Sequence, residues 1–388
     1  MEVMIETCCG IDVHQKSIVC CILDGPLDTN KPKKIQNKFG TTTVALQNAL
    51  DWVLENHVTH VFFESTGQYW LPLFNIFSDS DLVLVLANPQ HIKNVPGRKT
   101  DMKDAEWIAQ LGRCGLIEPP YIPGPEVVQL RVLTRRMRSY KQRQTQVKNK
   151  IHNLLQRANI KLTSYLSDIF SKTGQALLAL FVNGVVIDET SILVCIQKRV
   201  KASPEELLEA MNGKLSLEDR FLIGQSLHEL QMYQEMMDRL EKEIQDYIKK
   251  SFPEEYSILT IIPGVSETCA AVILAEIGPT VETFPSDAHL ASWVGLCPGS
   301  YESAGVKKSS HITQGNRYIK QALTMSGMIA AHSKDVAFSS FYQRVSQRGS
   351  KMKAVIACAH KLLRIIYKLL STHQTYQKEK ALELRQQF

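Results

Sequence analysis

One stretch limits what this chain can fold into more than any other. Between Val127 and Ser167 there is no acidic residue, and apolar residues recur there at helical spacing. Leu130, Leu133, Met137, Tyr140, Gln144, Val147, Ile151 and Leu154 step by three and four over several turns, which predicts a coiled-coil seam holding one polar residue. The other faces carry Arg131, Arg135, Arg136, Arg138, Lys141, Arg143, Lys148, Lys150, Arg157 and Lys161. A second seam runs through Ile223, Leu230, Tyr233, Met237, Leu240, Ile244 and Tyr247, with mixed and partly acidic outer positions. The two arms are expected to pack on each other or on a second subunit.

These arms separate two blocks of different character. Residues 1–125 alternate strand and helix signals. Strands are expected over Cys8–Asp12 and Ser17–Leu23, joined by the polar turn His14-Gln15-Lys16. A helix follows over Thr41–Glu55, then a strand over Val58–Phe63, a helix over Tyr69–Phe77, a strand over Leu82–Ala87 and a helix over Met102–Cys114. That order predicts a mixed α/β sheet. Residues 126–252 form the basic helix and coiled-coil segment. Residues 253–388 read as mostly helical, with helices over Ala270–Ile277, Tyr318–His332 and Met352–Leu370, a loop rich in Gly and Ser over Gly299–Ser310, and a polar tail from Gln374. The fold class is therefore α/β plus all-α.

A length of 388 residues implies more than one domain. The net charge of +6 is a weak sign of a polyanionic partner; the all-basic helix is a stronger one. No apolar run is long enough to cross a bilayer, and the N-terminus lacks a basic region followed by an apolar core, so neither membrane insertion nor secretion is expected. The nine cysteines include the doublets Cys8-Cys9 and Cys20-Cys21 but no Cys-x-x-Cys pair. That usage suits a reducing, cytoplasmic interior rather than zinc or disulfides. Trp52, Trp70, Trp107 and Trp293 sit among apolar neighbours and read as core.

Four acids carry the chemical signal. Asp12 ends the first strand signal, Glu64 ends Val-Phe-Phe-Glu, and Asp101 and Asp104 fall where a helix begins. The three-residue step puts Asp101 and Asp104 on one helical face. Each acid alone could be a turn or helix-start residue. Together they can converge on a hard divalent cation, Mg²⁺ first and Mn²⁺ as the alternative, as in sites that cut phosphodiesters. This order of acids recurs in ribonuclease-H-like nucleases.

Three further features point to nucleic acid. A face holding only cations binds polyphosphate without reading sequence, which nominates Arg131, Arg135, Arg138, Lys141 and Lys148. Ile262-Pro263-Gly264-Val265-Ser266 resembles the turn of a helix-hairpin-helix, although a plain helix-helix turn fits nearly as well. The loop Pro298 to Lys308 places serines beside Lys307 and Lys308, with Arg317 after it, as a nucleophile among cations would require. His14 and His311 lie close to this chemistry in sequence and could assist proton transfer.

Gly-Ile-Asp-Val-His-Gln-Lys, then Glu-Ser-Thr-Gly, then Lys-Thr-Asp-x-x-Asp-Ala, and later Ile-Pro-Gly-Val, Trp-Val-Gly-Leu-Cys-Pro-Gly and Gly-Asn-Arg-Tyr, make the chain similar to the DEDD-type insertion-sequence transposases of the IS-110 kind, related to pilin-gene DNA invertases. The resemblance spans nearly the whole chain. It implies a RuvC-like domain whose Asp12, Glu64, Asp101 and Asp104 match the DEDD acids, a coiled-coil segment, and a C-terminal transposase domain with an essential serine. The family loop commonly reads Ser-Ser-Gly-Gly, whereas here it is Glu302-Ser303-Ala304-Gly305. Alignment on Gly305 assigns the nucleophile to Ser303, with Ser300 as the fallback. The resemblance further implies donor and target DNA and a non-coding bridge RNA. The seams favour a homodimer that pairs into a tetramer, and a cytoplasmic, nucleoid-associated, prokaryotic location is expected. In such an assembly acids and serine can come from different subunits. Two rival readings are a RuvC-like junction nuclease using acids and water alone, and a catalytically silent nucleic-acid scaffold built on the coiled coil.

Overall fold

The computed structural model describes residues 3–29, 31–64, 67–87, 104–117, 123–197, 200–297, 301–303, 306–309 and 312–379, with 301–303 and 306–309 as backbone only. The chain divides into two compact units, Met1–Ile122 and Pro123–Phe388.

The first unit is built on a five-stranded sheet in the order β3-β2-β1-β4-β5. β1 (Thr7–Val13), β2 (Ser17–Asp24) and β3 (Lys33–Gly40) form an antiparallel meander, and β4 (His60–Glu64) and β5 (Val83–Ala87) add in parallel on the other side of β1. Strand periodicity explains the cysteine doublets, since adjacent residues point to opposite faces. Cys9 and Cys20 enter the face covered by α1 (Thr43–Glu55) and α2 (Trp70–Phe77). Cys8 and Cys21 enter the face covered by α3 (Asp104–Arg113). All nine cysteines are free thiols.

The sequence reading contained no strand at Lys33–Gly40. That segment is the sheet edge and none of its residues is fully buried, so it carries no strong apolar alternation. α3 holds an unexpected anchor. Arg113, at its last position, is wholly buried and donates to the carbonyls of Ile5 (3.2 Å), Gly25 (2.7 Å), Pro26 (3.1 Å) and Thr29 (3.2 Å). The guanidinium thereby satisfies a loop whose carbonyls lack ladder partners.

In the second unit the two seams pair within the chain. α4 (Pro125–Arg157) and α9 (Leu217–Ser251) pack along each other, with Tyr140 against Tyr233 and the polar seam residue Gln144 donating to Gln234 at 3.3 Å. Two cores share these helices. The distal halves, including Val147, Ile151, Leu155, Ile223 and Leu230, bury four short helices: α5 (Leu162–Tyr165), α6 (Lys172–Val182), α7 (Glu189–Cys195) and α8 (Pro204–Ala210). Arg157 pairs with Asp219 there. The proximal halves join the C-terminal helices: α10 (Pro253–Thr260), α11 (Glu267–Ile277), α12 (Asp287–Val294), α13 (Arg317–Ala331), α14 (Val336–Arg348) and α15 (Lys351–Thr372).

Three local expectations need correction. The Gly/Ser segment is not only a loop, because β6 (Tyr301–Ser303) and β7 (Val306–Ser309) pair as an antiparallel hairpin. α14 was missing from the sequence reading. Trp293 is 40% exposed, its ring tilted against that of Phe284, and so is not core. No described helix is long and apolar enough to cross a membrane.

Candidate active site

Sheet register brings two of the four acids together. β1 and β4 run parallel with Ile11 opposite Phe63, so Asp12 and Glu64, each one residue further on, end neighbouring strands side by side. Both lie on the α3 face, because Gly10 and Phe62, two residues earlier, face α3. Asp104 opens α3 on that same face.

Gly10 permits this closeness. A Cβ there would stand 2.2 Å from the Ala105 carbonyl oxygen and 2.4 Å from the Ala109 nitrogen, so α3 can lie on β1 only over a glycine. The effect on Asp12 is electrostatic. Burial pushes its carboxyl above the ordinary aspartate range, the charges of Asp104 and Glu64 push the same way, and His14 opposes them. His14 Nε2 lies 3.1 Å from Asp12 Oδ2. Each carboxylate charge at that strand end disfavours ionisation of its neighbours, and carboxyl oxygens are the donor type that a hard cation takes. Among the described residues no group of three or more His, Cys, Asp and Glu side chains stands close enough together to hold a metal ion. Asp101 lies outside the described residues.

The basic helix is used differently from its sequence reading. Glu276, 2% exposed at the buried C-terminal end of α11, accepts from Arg135 Nε and Nη2 at 2.9 and 2.8 Å. Arg131 donates to the Ala275 and Glu276 carbonyls. Asn316 Nδ2 completes the set on Glu276 at 2.7 Å, while its Oδ1 caps α13 by accepting from Tyr318 and Ile319. Arg131 and Arg135 therefore hold α4, α11 and α13 together. Sequence reasoning missed Glu276; its signal was an acid set within the apolar run Ala270–Ile277.

Arg138 and Arg317 are placed otherwise. With Arg135 they surround the Tyr318 ring, at 4.6, 5.1 and 4.3 Å from its centroid. Arg138 also donates to the Arg317 carbonyl at 3.0 Å. Lys141 is exposed one turn further along α4, and Lys148 lies over the Phe170 ring at 5.1 Å. Ser303 pairs with Val306 at the closed end of the hairpin, and Lys307 pairs with Glu302. Lys308 follows on β7. Ser300 and His311 lie outside the described residues.

The Ile262–Ser266 turn resolves as packing. Gly264 has φ +85°, and a Cβ there would meet the Ser326 carbonyl oxygen at 2.4 Å, so α13 covers the turn. Ser266 caps α11, whose first residue is the acid Glu267, a poor neighbour for phosphate.

Residues 9–160 match the DEDD transposase family of the IS110 type, described as a transposase, and residues 256–343 match the transposase family IS116/IS110/IS902. Together these spans take in more than half of the chain. The chain belongs to the IS110 family of transposases. It is 33% identical over 125 residues to the pilin gene-inverting protein of Moraxella bovis, a stretch covering 31% of this chain and 38% of that protein. It is 32% identical over 122 residues to an uncharacterised protein of insertion element IS110 from Streptomyces coelicolor, covering 31% and 30%. A putative transposase of Sinorhizobium fredii is 26% identical over 180 residues, covering 44% and 46%. The chain thus aligns with less than half the length of each of these curated relatives. The IS110 match spans Asp12, Glu64, Asp101 and Asp104, and the second match spans the Ser303 hairpin and Arg317.

Proposed function

We propose that this IS110-family protein is a site-specific DNA recombinase that moves or inverts an element by cutting and rejoining strands. The observation that carries the reading is the gathering of Asp12, Glu64 and Asp104, distant in sequence, at one end of the sheet, where burial first and then the charges of Asp104 and Glu64 raise the Asp12 carboxyl. Acids whose protonation is perturbed by burial and by one another are a recurring mark of functional sites.

The acids Asp12, Glu64, Asp101 and Asp104 would hold Mg²⁺ or Mn²⁺, which when bound supplies positive charge for a phosphate and its leaving oxygen. Ser303 is the proposed nucleophile. Its Oγ–P bond forms as one P–O ester bond of the strand breaks, and the strand leaves with a free hydroxyl that takes up a proton. Attack by a second strand's hydroxyl on the phosphoserine reverses the step and returns the proton to Ser303. The ester energy is conserved, so religation needs no nucleotide cofactor. Lys307, Lys308 and Arg317 would offset charge on the phosphate. Lys141, Lys148 and the other outward cations of α4 suit a nucleic-acid backbone, whether DNA or a guiding bridge RNA. Assembly as a dimer of dimers belongs to the same proposal.

Trapping tests it directly. Full-length protein is incubated with element-end DNA and Mg²⁺, then denatured, and the covalent species is digested and mapped by mass spectrometry. Wild type is expected to yield DNA linked to the peptide carrying Ser303, and Ser303→Ala none while still binding DNA. An undiminished adduct in Ser303→Ala refutes the serine assignment. Cleavage without any adduct would favour a hydrolytic nuclease.

A further inference from the structure

A groove of about 450 Å³ runs between α4 and α13, within the size range of small-ligand sites. Its two ends differ in chemistry. At one end stand Arg138, Lys141 and Tyr318, with Arg317 against the same ring. Glu276 is taken by Arg135, Arg131 and Asn316, and among the described residues no carboxylate lies within ion-pair reach of Arg138 or Arg317. The Arg138 Nε is buried and has no hydrogen-bond partner. A guanidinium N–H removed from water without an acceptor is costly, and a second cation beside it raises the cost. Both terms change sign when an anion enters.

At the other end Met325 and Ile329 line the groove and are 55% and 54% exposed. They lie four residues apart on α13, so they offer one continuous apolar surface. The acids of the groove, Glu241 and Glu267, accept from Thr268 and Gln245 on the wall made by α9 and α11. Their charge repels an anion from that wall and leaves the Arg138 end as its seat.

An anion attached to a flat apolar body fits both ends at once. We infer that this groove holds one nucleotide of an unpaired nucleic-acid strand, with its phosphate on Arg138, Arg317 and Lys141 and its base on Met325 and Ile329. The inference rests on the proposed action on nucleic acid and adds where, and in what form, a strand is gripped. The faces of the Tyr318 ring are already occupied by guanidiniums, so the thioether and alkyl side chains, rather than that ring, provide the surface for the base.

The test uses the full-length protein and a DNA single strand of about 16 nucleotides, roughly the upper end of single-strand site sizes, carrying one 4-thiothymidine and a fluorescein end label. After irradiation, crosslinks are expected in the peptide spanning 318–329. In titrations the Arg138→Gln variant should bind severalfold more weakly, with the slope of log K against log salt shallower by about 0.7, as for one lost phosphate contact. Met325→Glu places a charge on an exposed position, so it should melt like wild type and still bind severalfold more weakly. Crosslinks confined to other peptides, or both variants binding within about twofold of wild type with an unchanged salt slope, overturn the inference and leave the recombinase reading intact. A wild-type chain that binds neither single-stranded nor duplex DNA overturns both.

Discussion

Replacing Gly10 by alanine probes how the fold makes the acidic site. The added methyl would lie 2.2 Å from the Ala105 oxygen, 2.4 Å from the Ala109 nitrogen and 2.9 Å from the Ala109 Cα. Ordinary contacts start near 3.4 Å, so α3 must retreat from β1 by about 1 Å. The obstructing atoms are backbone, which cannot rotate away, so the cost sits at the upper end for overpacking, about 3 kcal/mol. For a unit of this size that corresponds to a fall in Tm of about 10 °C. The same retreat carries Asp104 away from Asp12, and a 1 Å error at a reacting centre can cost about a hundredfold in rate. Gly40→Ala is the matched control, since its methyl would meet only the Ala45 Cβ at 3.4 Å. Calorimetry and the adduct assay should therefore show Gly10→Ala destabilised and nearly inactive, and Gly40→Ala close to wild type in both. A Gly10→Ala protein that melts within about 1 °C of wild type and forms adduct normally would refute the argument that α3 seats Asp104 by contact with β1.

Further consequences follow from buried charge. Arg113→Met removes donors from four carbonyls and should lower the stability of the first unit by at least about 3 kcal/mol in urea unfolding; a loss below about 1 kcal/mol would mean that water replaces the guanidinium. Asp12 has a folded pKa raised above the ordinary 3.8, by burial first and by Asp104 and Glu64 next. Stability present below that value is therefore lost as pH rises through the raised one. Asp12→Asn should accordingly melt higher than wild type at pH 7 in metal-free buffer, with the gap narrowing as pH falls toward the ordinary aspartate range, while adduct formation is abolished. Equal melting at every pH would show that Asp12 is not strained by its neighbours.

Much of this was legible in the chain because burial and period speak together. β1, β2, β4, β5 and both long seams carry runs of apolar residues at strand or helix spacing, and the structure places elements at all of them. The missed pieces lack that signal. β3 is an edge strand with polar side chains, and Val336–Arg348 buries only Ala337 and Phe338 fully. The acids were legible as types, since Asp12, Glu64 and Asp104 end or begin elements. Their convergence was not, because it depends on which strands are neighbours. The basic helix was legible as charge but not in its contacts. Charge along one helix does not show what lies across from it, and only the fold reveals that Glu276 takes Arg131 and Arg135 inward while Arg138 and Arg317 gather on Tyr318.

The convergence of the acids is open to a single direct measurement: Mn²⁺ binding to the full-length protein, followed by electron paramagnetic resonance and by anomalous scattering from crystals soaked in the ion. An ion coordinated by Asp12, Glu64 and Asp104, with the bound signal lost in Asp12→Asn, is the expected result. An ion absent from that strand end, or bound equally well by the Asp12→Asn protein, would contradict a metal-dependent strand-transfer site.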